Sequence, residues 1–136
     1  MTRTTEHISD FINAFISWAS TQPDIQAVAL VGSYARQAAT ETSDIDLVLL
    51  VSDPHPYLTN TDWSKQFGAI VRQQIEEYGL VTSLRVWSRN GYEVEYGITT
   101  LDWAKWPLAK GTARVIQDGL RLLFEREALL SLHERR

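Results

Sequence analysis

Cysteine is absent from the 136 residues, which removes disulfides and thiolate metal sites and fits a reducing compartment. Positive charge is in short supply. Thirteen Lys and Arg stand against seventeen Asp and Glu, a net charge of -4, so no overall field draws the chain to long nucleic acid or an acidic membrane. Long apolar runs are missing as well. The apolar N-terminal segment is broken by Asp10, Asn13 and Ser17 and reads as neither a leader nor a spanning helix, which gives a cytoplasmic expectation and no membrane partner. His7, His55 and His133 show no zinc-like spacing. What remains is 44% hydrophobic, enough to bury one core, and residues 1–136 read as a single domain.

Ile8, Phe11, Ile12, Phe15, Ile16 and Ala19 repeat at helical spacing, with Thr4 or Thr5 as cap and Gln22-Pro23 as stop. Ile25 to Val31 and Ile45 to Val51 are apolar runs that predict strands covered on both faces, and Ser33 to Ala39 between them leaves room for a short helix. Asp53-Pro54-His55-Pro56 ends the second strand, and a loop is expected to about Asp62. Phe67, Ile70, Val71, Ile75 and Tyr78 share one helical face, which predicts a second helix capped at Gly79.

Leu80 to Ser88 and Tyr92 to Thr99 flank Asn90-Gly91 and predict a hairpin with a two-residue turn. Leu101 to Gly111 reads as an ordered connector. Thr112 to Ile116 and Leu120 to Phe124 are expected either to pair around Asp118-Gly119 or to form helix, and Arg126 to Arg136 closes the chain as a short charged helix. The Trp residues read as core or interface. The expected fold class is α/β: a mixed sheet with helices mainly on one face and an acidic site at the sheet edge where the short helix begins.

Asp44 and Asp46 lie two apart at the start of a strand, so both side chains leave one face while Ile45 and Leu47 go to the other. Two carboxylates in one small space repel each other unless a divalent cation joins them, and oxygen-only ligands suit Mg²⁺ or Mn²⁺. Such a site can hold two ions about 3.5–4 Å apart, the arrangement of phosphoryl or nucleotidyl transfer. Gly32-Ser33 stands where a strand gives way to a helix, with free backbone amides and a hydroxyl for phosphate oxygens. Arg36, one turn on, adds a planar fork. The competing structural reading has Arg36 simply pairing with these aspartates.

Gly32-Ser33-Tyr34-Ala35-Arg36, followed by Ser43-Asp44-Ile45-Asp46-Leu47-Val48, resembles the signature of the nucleotidyltransferase superfamily that includes DNA polymerase beta, and most of all its minimal and antibiotic-modifying members. The resemblance implies that Asp44 and Asp46 bind metal and that Gly32 and Ser33 hold a triphosphate. It also implies a third carboxylate from a neighbouring strand. Glu95 in Tyr92-Glu93-Val94-Glu95-Tyr96 is the choice, with Glu93 as fallback, to complete the metal site or accept a proton. Trp103-Ala-Lys-Trp-Pro and Gly111-Thr112 resemble the tail of small members of the family.

The chain departs from the pattern in carrying Gln37 where many relatives have glycine, and in ending before the helical domain that follows in the antibiotic-modifying enzymes. The activity implied is transfer of a nucleoside monophosphate, AMP from ATP, to a hydroxyl of a small molecule or protein with release of pyrophosphate. Acceptor contacts would then come from a second copy, another protein or the C-terminal segment. The alternative is an antitoxin-like protein-binding module that keeps the fold and works beside a small helical partner.

Overall fold

The structure is a computed structural model and describes residues 5–40, 43–89, 91–105 and 108–127, with the side chains of residues 5–7 left aside. Helix α1 (Thr5–Ser20) leads into strand β1 (Ile25–Val31), the four-residue helix α2 (Gly32–Ala35) and strand β2 (Ile45–Val51). Helix α3 (His55–Thr59) and a 3-10 turn (Asp62–Phe67) follow, then β3 (Ile70–Tyr78), β4 (Val81–Ser88) and β5 (Glu93–Thr99). A second 3-10 turn (Leu101–Ala104), helix α4 (Lys110–Asp118) and β6 (Leu120–Glu125) are the last elements among the described residues.

The six strands form one mixed sheet in the order β3-β4-β5-β2-β1-β6. Only β2 and β5 run parallel, and every other neighbouring pair is antiparallel. The apolar runs of β1 and β2 fill the middle of the sheet because they are apolar on both faces. On one face Phe11, Phe15 and Ala19 of α1 bury against Leu30, Leu47, Tyr96 and Ile98. Phe15 lies 5.5 Å from Tyr96, and Trp18 stacks on Trp63 at 5.4 Å. On the other face Ala29, Val31, Val48 and Leu50 pack with Trp103, Ala104, Val115 and Ile116. Trp18, Trp63 and Trp103 thus serve the core as expected, while Trp106 lies outside the described residues. Among the described residues no helix is long and apolar enough to cross a membrane.

The α/β class, the first helix, the two apolar strands and the β4–β5 hairpin agree with the sequence reading. The expected helix ending at Gly79 does not form. Residues 70–78 are a strand paired along its length with β4, and Gly79, at φ +73°, is a turn glycine between them. The apolar spacing misled because no element covers it: Val71, Ile75 and Tyr78 are 67%, 49% and 56% exposed. Cross-strand pairing to β4 outweighs the local pattern.

The expected loop before Asp62 contains α3, with Pro56 in its first turn, where the missing amide is harmless. The Asn90-Gly91 turn is longer than two residues, since Ser88 N donates to Tyr92 O at 2.8 Å around residues 89–91; Asn90 itself lies outside the described residues. Thr112 to Ile116 and Leu120 to Phe124 do not pair with each other. The former is helical, in α4, and the latter forms β6 on β1. The closing helix falls largely on residues 128–136, outside the described residues.

Candidate active site

Four chain segments meet at one end of the central strands. Asp44 immediately precedes β2, and Asp46 is its second residue. The parallel register sets Asp46 beside Glu95 of β5, and the antiparallel register sets Glu95 beside Arg85 of β4. Because side chains alternate along a strand, Asp46, Glu95 and Arg85 rise from the same face. The cluster therefore sits on inner strands, which corrects the expected place at the sheet edge.

Gly32 opens α2 at the end of β1, whose last residue pairs with Asp46. Its φ is +72°, and a Cβ there would run into Asp46 Oδ2. The glycine is thus required twice, for a left-handed backbone and for the room that the carboxylate occupies. Ser33 follows half-buried, its hydroxyl without a hydrogen-bond partner among the described residues. Arg36, just beyond α2, is exposed and forms no ion pair with any described residue. The reading in which Arg36 pairs with the aspartates is therefore not what the structure holds. Gln37 takes φ +59°, the left-handed conformation that glycine adopts without strain.

Arg85 is the cation at the centre of the site. Its Nη1 donates to Asp44 Oδ2 at 3.2 Å and Glu93 Oε2 at 2.5 Å, its Nη2 to Glu95 Oε1 at 2.6 Å and its Nε to Glu76 Oε1 at 3.2 Å. Its side chain is only 19% exposed. Burial works against its charge, but the hydrogen bonds and charges of Glu93, Glu95 and Glu76 outweigh this and hold it firmly protonated. Sequence reasoning missed Arg85 and assigned Glu76 to a helix. The available signal was Arg85 between Leu84 and Val86, since a strand interior seldom accepts a lone charge.

Asp46 does not share in these bonds. Its Oδ1 is buried without a hydrogen-bond partner. Burial first, then the charges of Asp44 and Glu95, push its pKa up to about 8, with Arg85 pulling only weakly the other way. Glu95 is also raised, by burial against the opposing pull of Arg85. A carboxylate stripped of water and lacking a donor is unfavourable. A hard cation supplies what this one lacks, and an all-oxygen donor set of Asp44, Asp46 and Glu95 fits Mg²⁺ or Mn²⁺. Among the described residues no group of three or more Asp, Glu or His side chains is arranged to hold a metal ion. The Arg85 guanidinium occupies lone pairs of Asp44 and Glu95.

The sequence profile of the streptomycin adenylyltransferases matches residues 3–131. The chain belongs to that family. Its fold is shared with solved structures of low sequence identity. An aminoglycoside 6-adenyltransferase from Bacillus subtilis superposes with a TM-score of 0.59 at 17% identity, over 87% of this chain and 40% of that one. The polymerase core of TRAMP, an RNA surveillance complex, superposes with a TM-score of 0.52 at 17% identity, over 71% of this chain and 32% of that one. The chain thus spans well under half the length of either. No curated protein matches it by sequence. Family membership agrees with the resemblance carried by Gly32-Ser33 and Asp44-Ile45-Asp46, while the role of each residue rests on the geometry described above.

Proposed function

We propose that this chain carries the nucleotidyl-transfer site of its family, moving a nucleoside monophosphate, AMP from ATP, onto a hydroxyl of a small molecule or protein. The observation that carries the reading is Asp46: held against Gly32 on one side and Glu95 on the other, with one oxygen buried and unpartnered. Asp44, Asp46 and Glu95 would hold Mg²⁺ or Mn²⁺, which would neutralise phosphate charge and lower the barrier to attack.

The chain's own groups divide the remaining work. The Ser33 hydroxyl and the Arg36 guanidinium, both without side-chain partners among the described residues, bind phosphate oxygens. Glu95, raised toward neutrality by burial, takes up the proton of the acceptor hydroxyl as its oxygen bonds to the α-phosphorus. The bond from that phosphorus to the bridging oxygen breaks, and pyrophosphate leaves. Arg85 positions Glu95 and Asp44 and spaces the carboxylates until the triphosphate and its cation arrive. Glu93, the alternative third carboxylate, is committed to Arg85 and is not paired with Asp46 in the strand register.

Calorimetric titration with a panel of nucleoside triphosphates, with and without Mg²⁺, tests the reading against the Asp44→Ala/Asp46→Ala double variant. Metal-dependent binding that the variant loses supports it. Equal binding by parent and variant, or no binding by either, overturns it.

The exposed side chains of Val71, Ile75, Tyr78 and Leu80 support a second reading, a protein-binding module beside a second copy or a small helical partner. A stable complex on gel filtration without triphosphate turnover favours that reading.

A further inference from the structure

A cleft of about 560 Å³ opens on the site face of the sheet, between β2, β5 and β4 on one side and α4 with the second 3-10 turn on the other. Asp46, Arg85 and Glu95 form one end of its lining. Neither Gly32, Ser33 nor Arg36 borders it. The remaining wall is largely apolar, from Val48, Leu80, Val81, Trp103 and Val115. Thr112 also borders the cleft. It is 2% exposed, and its Oγ1 is buried without a hydrogen-bond partner.

We propose that this cleft is the acceptor pocket and takes an amphipathic hydroxyl compound, an aryl or similarly flat apolar body that carries the acceptor hydroxyl at one end. The assignment rests on the transfer reading above. The cleft has the volume of a small-molecule site. The acceptor hydroxyl must reach Glu95, which lines the cleft, whereas the phosphate-binding groups lie outside it. A polycationic sugar would press hydroxyl and ammonium groups against Val81, Trp103 and Val115, leaving them without partners. An apolar body covers that wall and leaves none of these groups facing an unmatched polar atom.

The test uses 4-hydroxyphenethyl alcohol as probe, titrated by saturation-transfer NMR into the full chain with Mg²⁺ and α,β-methylene-ATP. The expected result is probe binding that persists when the ATP analogue is saturating. Val115→Trp, which fills the cleft, should abolish binding, and Val81→Phe on the opposite wall replaces it if a thermal melt shows that Val115→Trp does not fold. Glucosamine should bind at least ten-fold more weakly than the probe.

Displacement of the probe by the ATP analogue overturns the proposal, because the cleft would then hold the nucleobase. Unchanged probe affinity in the cleft-filling variant overturns it too, as does glucosamine binding as tightly. If the analogue binds and the probe does not, the acceptor assignment alone fails. If the analogue does not bind, the transfer reading fails, and the acceptor role falls with it.

Discussion

Asp46 should make the metal-free protein less stable as pH rises. Its folded pKa is pushed up to about 8, against about 3.9 for an unfolded aspartate. The native state therefore holds a proton between those values that the unfolded state has lost. Its stabilising effect is complete below about pH 4 and is lost as pH rises towards 8. Four pH units at about 1.4 kcal/mol each set an upper bound near 5–6 kcal/mol. Solvent reaching the half-buried side chain reduces this to about 2–3 kcal/mol.

Asp46→Asn removes the titration while keeping the shape. In EDTA, the variant and parent should differ by a margin that grows from pH 4.5 to 8.5, with the variant ahead by about 2–3 kcal/mol at the upper end. For a domain of this size that is roughly 6–12 °C in Tm. Denaturant unfolding across the pH series, repeated in 10 mM Mg²⁺, is the assay. Magnesium should flatten the parent's profile and leave the variant's unchanged. Calorimetry at pH 7 in buffers of different ionisation enthalpy should show up to about 0.9 proton released per site on metal binding. A stability difference between parent and variant that does not change with pH refutes the reasoning.

Arg85→Gln leaves Asp44, Glu76, Glu93 and Glu95 facing one another. The metal-free fold should weaken by about 2–4 kcal/mol, and Mg²⁺ should restore more stability to this variant than to the parent, as thermal melts with and without the ion will show. Gly32→Ala meets both a left-handed backbone and Asp46 Oδ2. It should lower stability by about 2 kcal/mol or more and abolish metal-dependent triphosphate binding in calorimetry. Gln37→Gly relieves the strain at φ +59° and should raise stability by up to about 1 kcal/mol, read as a Tm about 3–4 °C higher.

Local chemistry made part of the site legible. Gly32-Ser33 and Asp44-Ile45-Asp46 flank one strand–turn–strand unit, β1 to β2, so their proximity follows from short connections. Glu95 was legible as an acid in a strand, but its place beside Asp46 depends on the parallel pairing of β2 with β5. Arg85 was passed over because its four carboxylate partners come from three other parts of the chain. Glu76 was hidden by a helical apolar pattern on a strand that shows those apolar residues to solvent.

By itself the sequence determined the α/β class, the buried central strands, the packing face of α1 and the phosphate and aspartate motif, since each depends on periodicity or on residues a few positions apart. Tertiary structure alone decided that residues 70–78 are a strand, that Arg85 is the counter-cation of the acidic cluster, and that α4 roofs a largely apolar cleft beside Asp46 and Glu95. Those features depend on which distant segments pair and in what register. A strand's partner, and the charge its side chain meets there, are fixed only when the sheet is assembled.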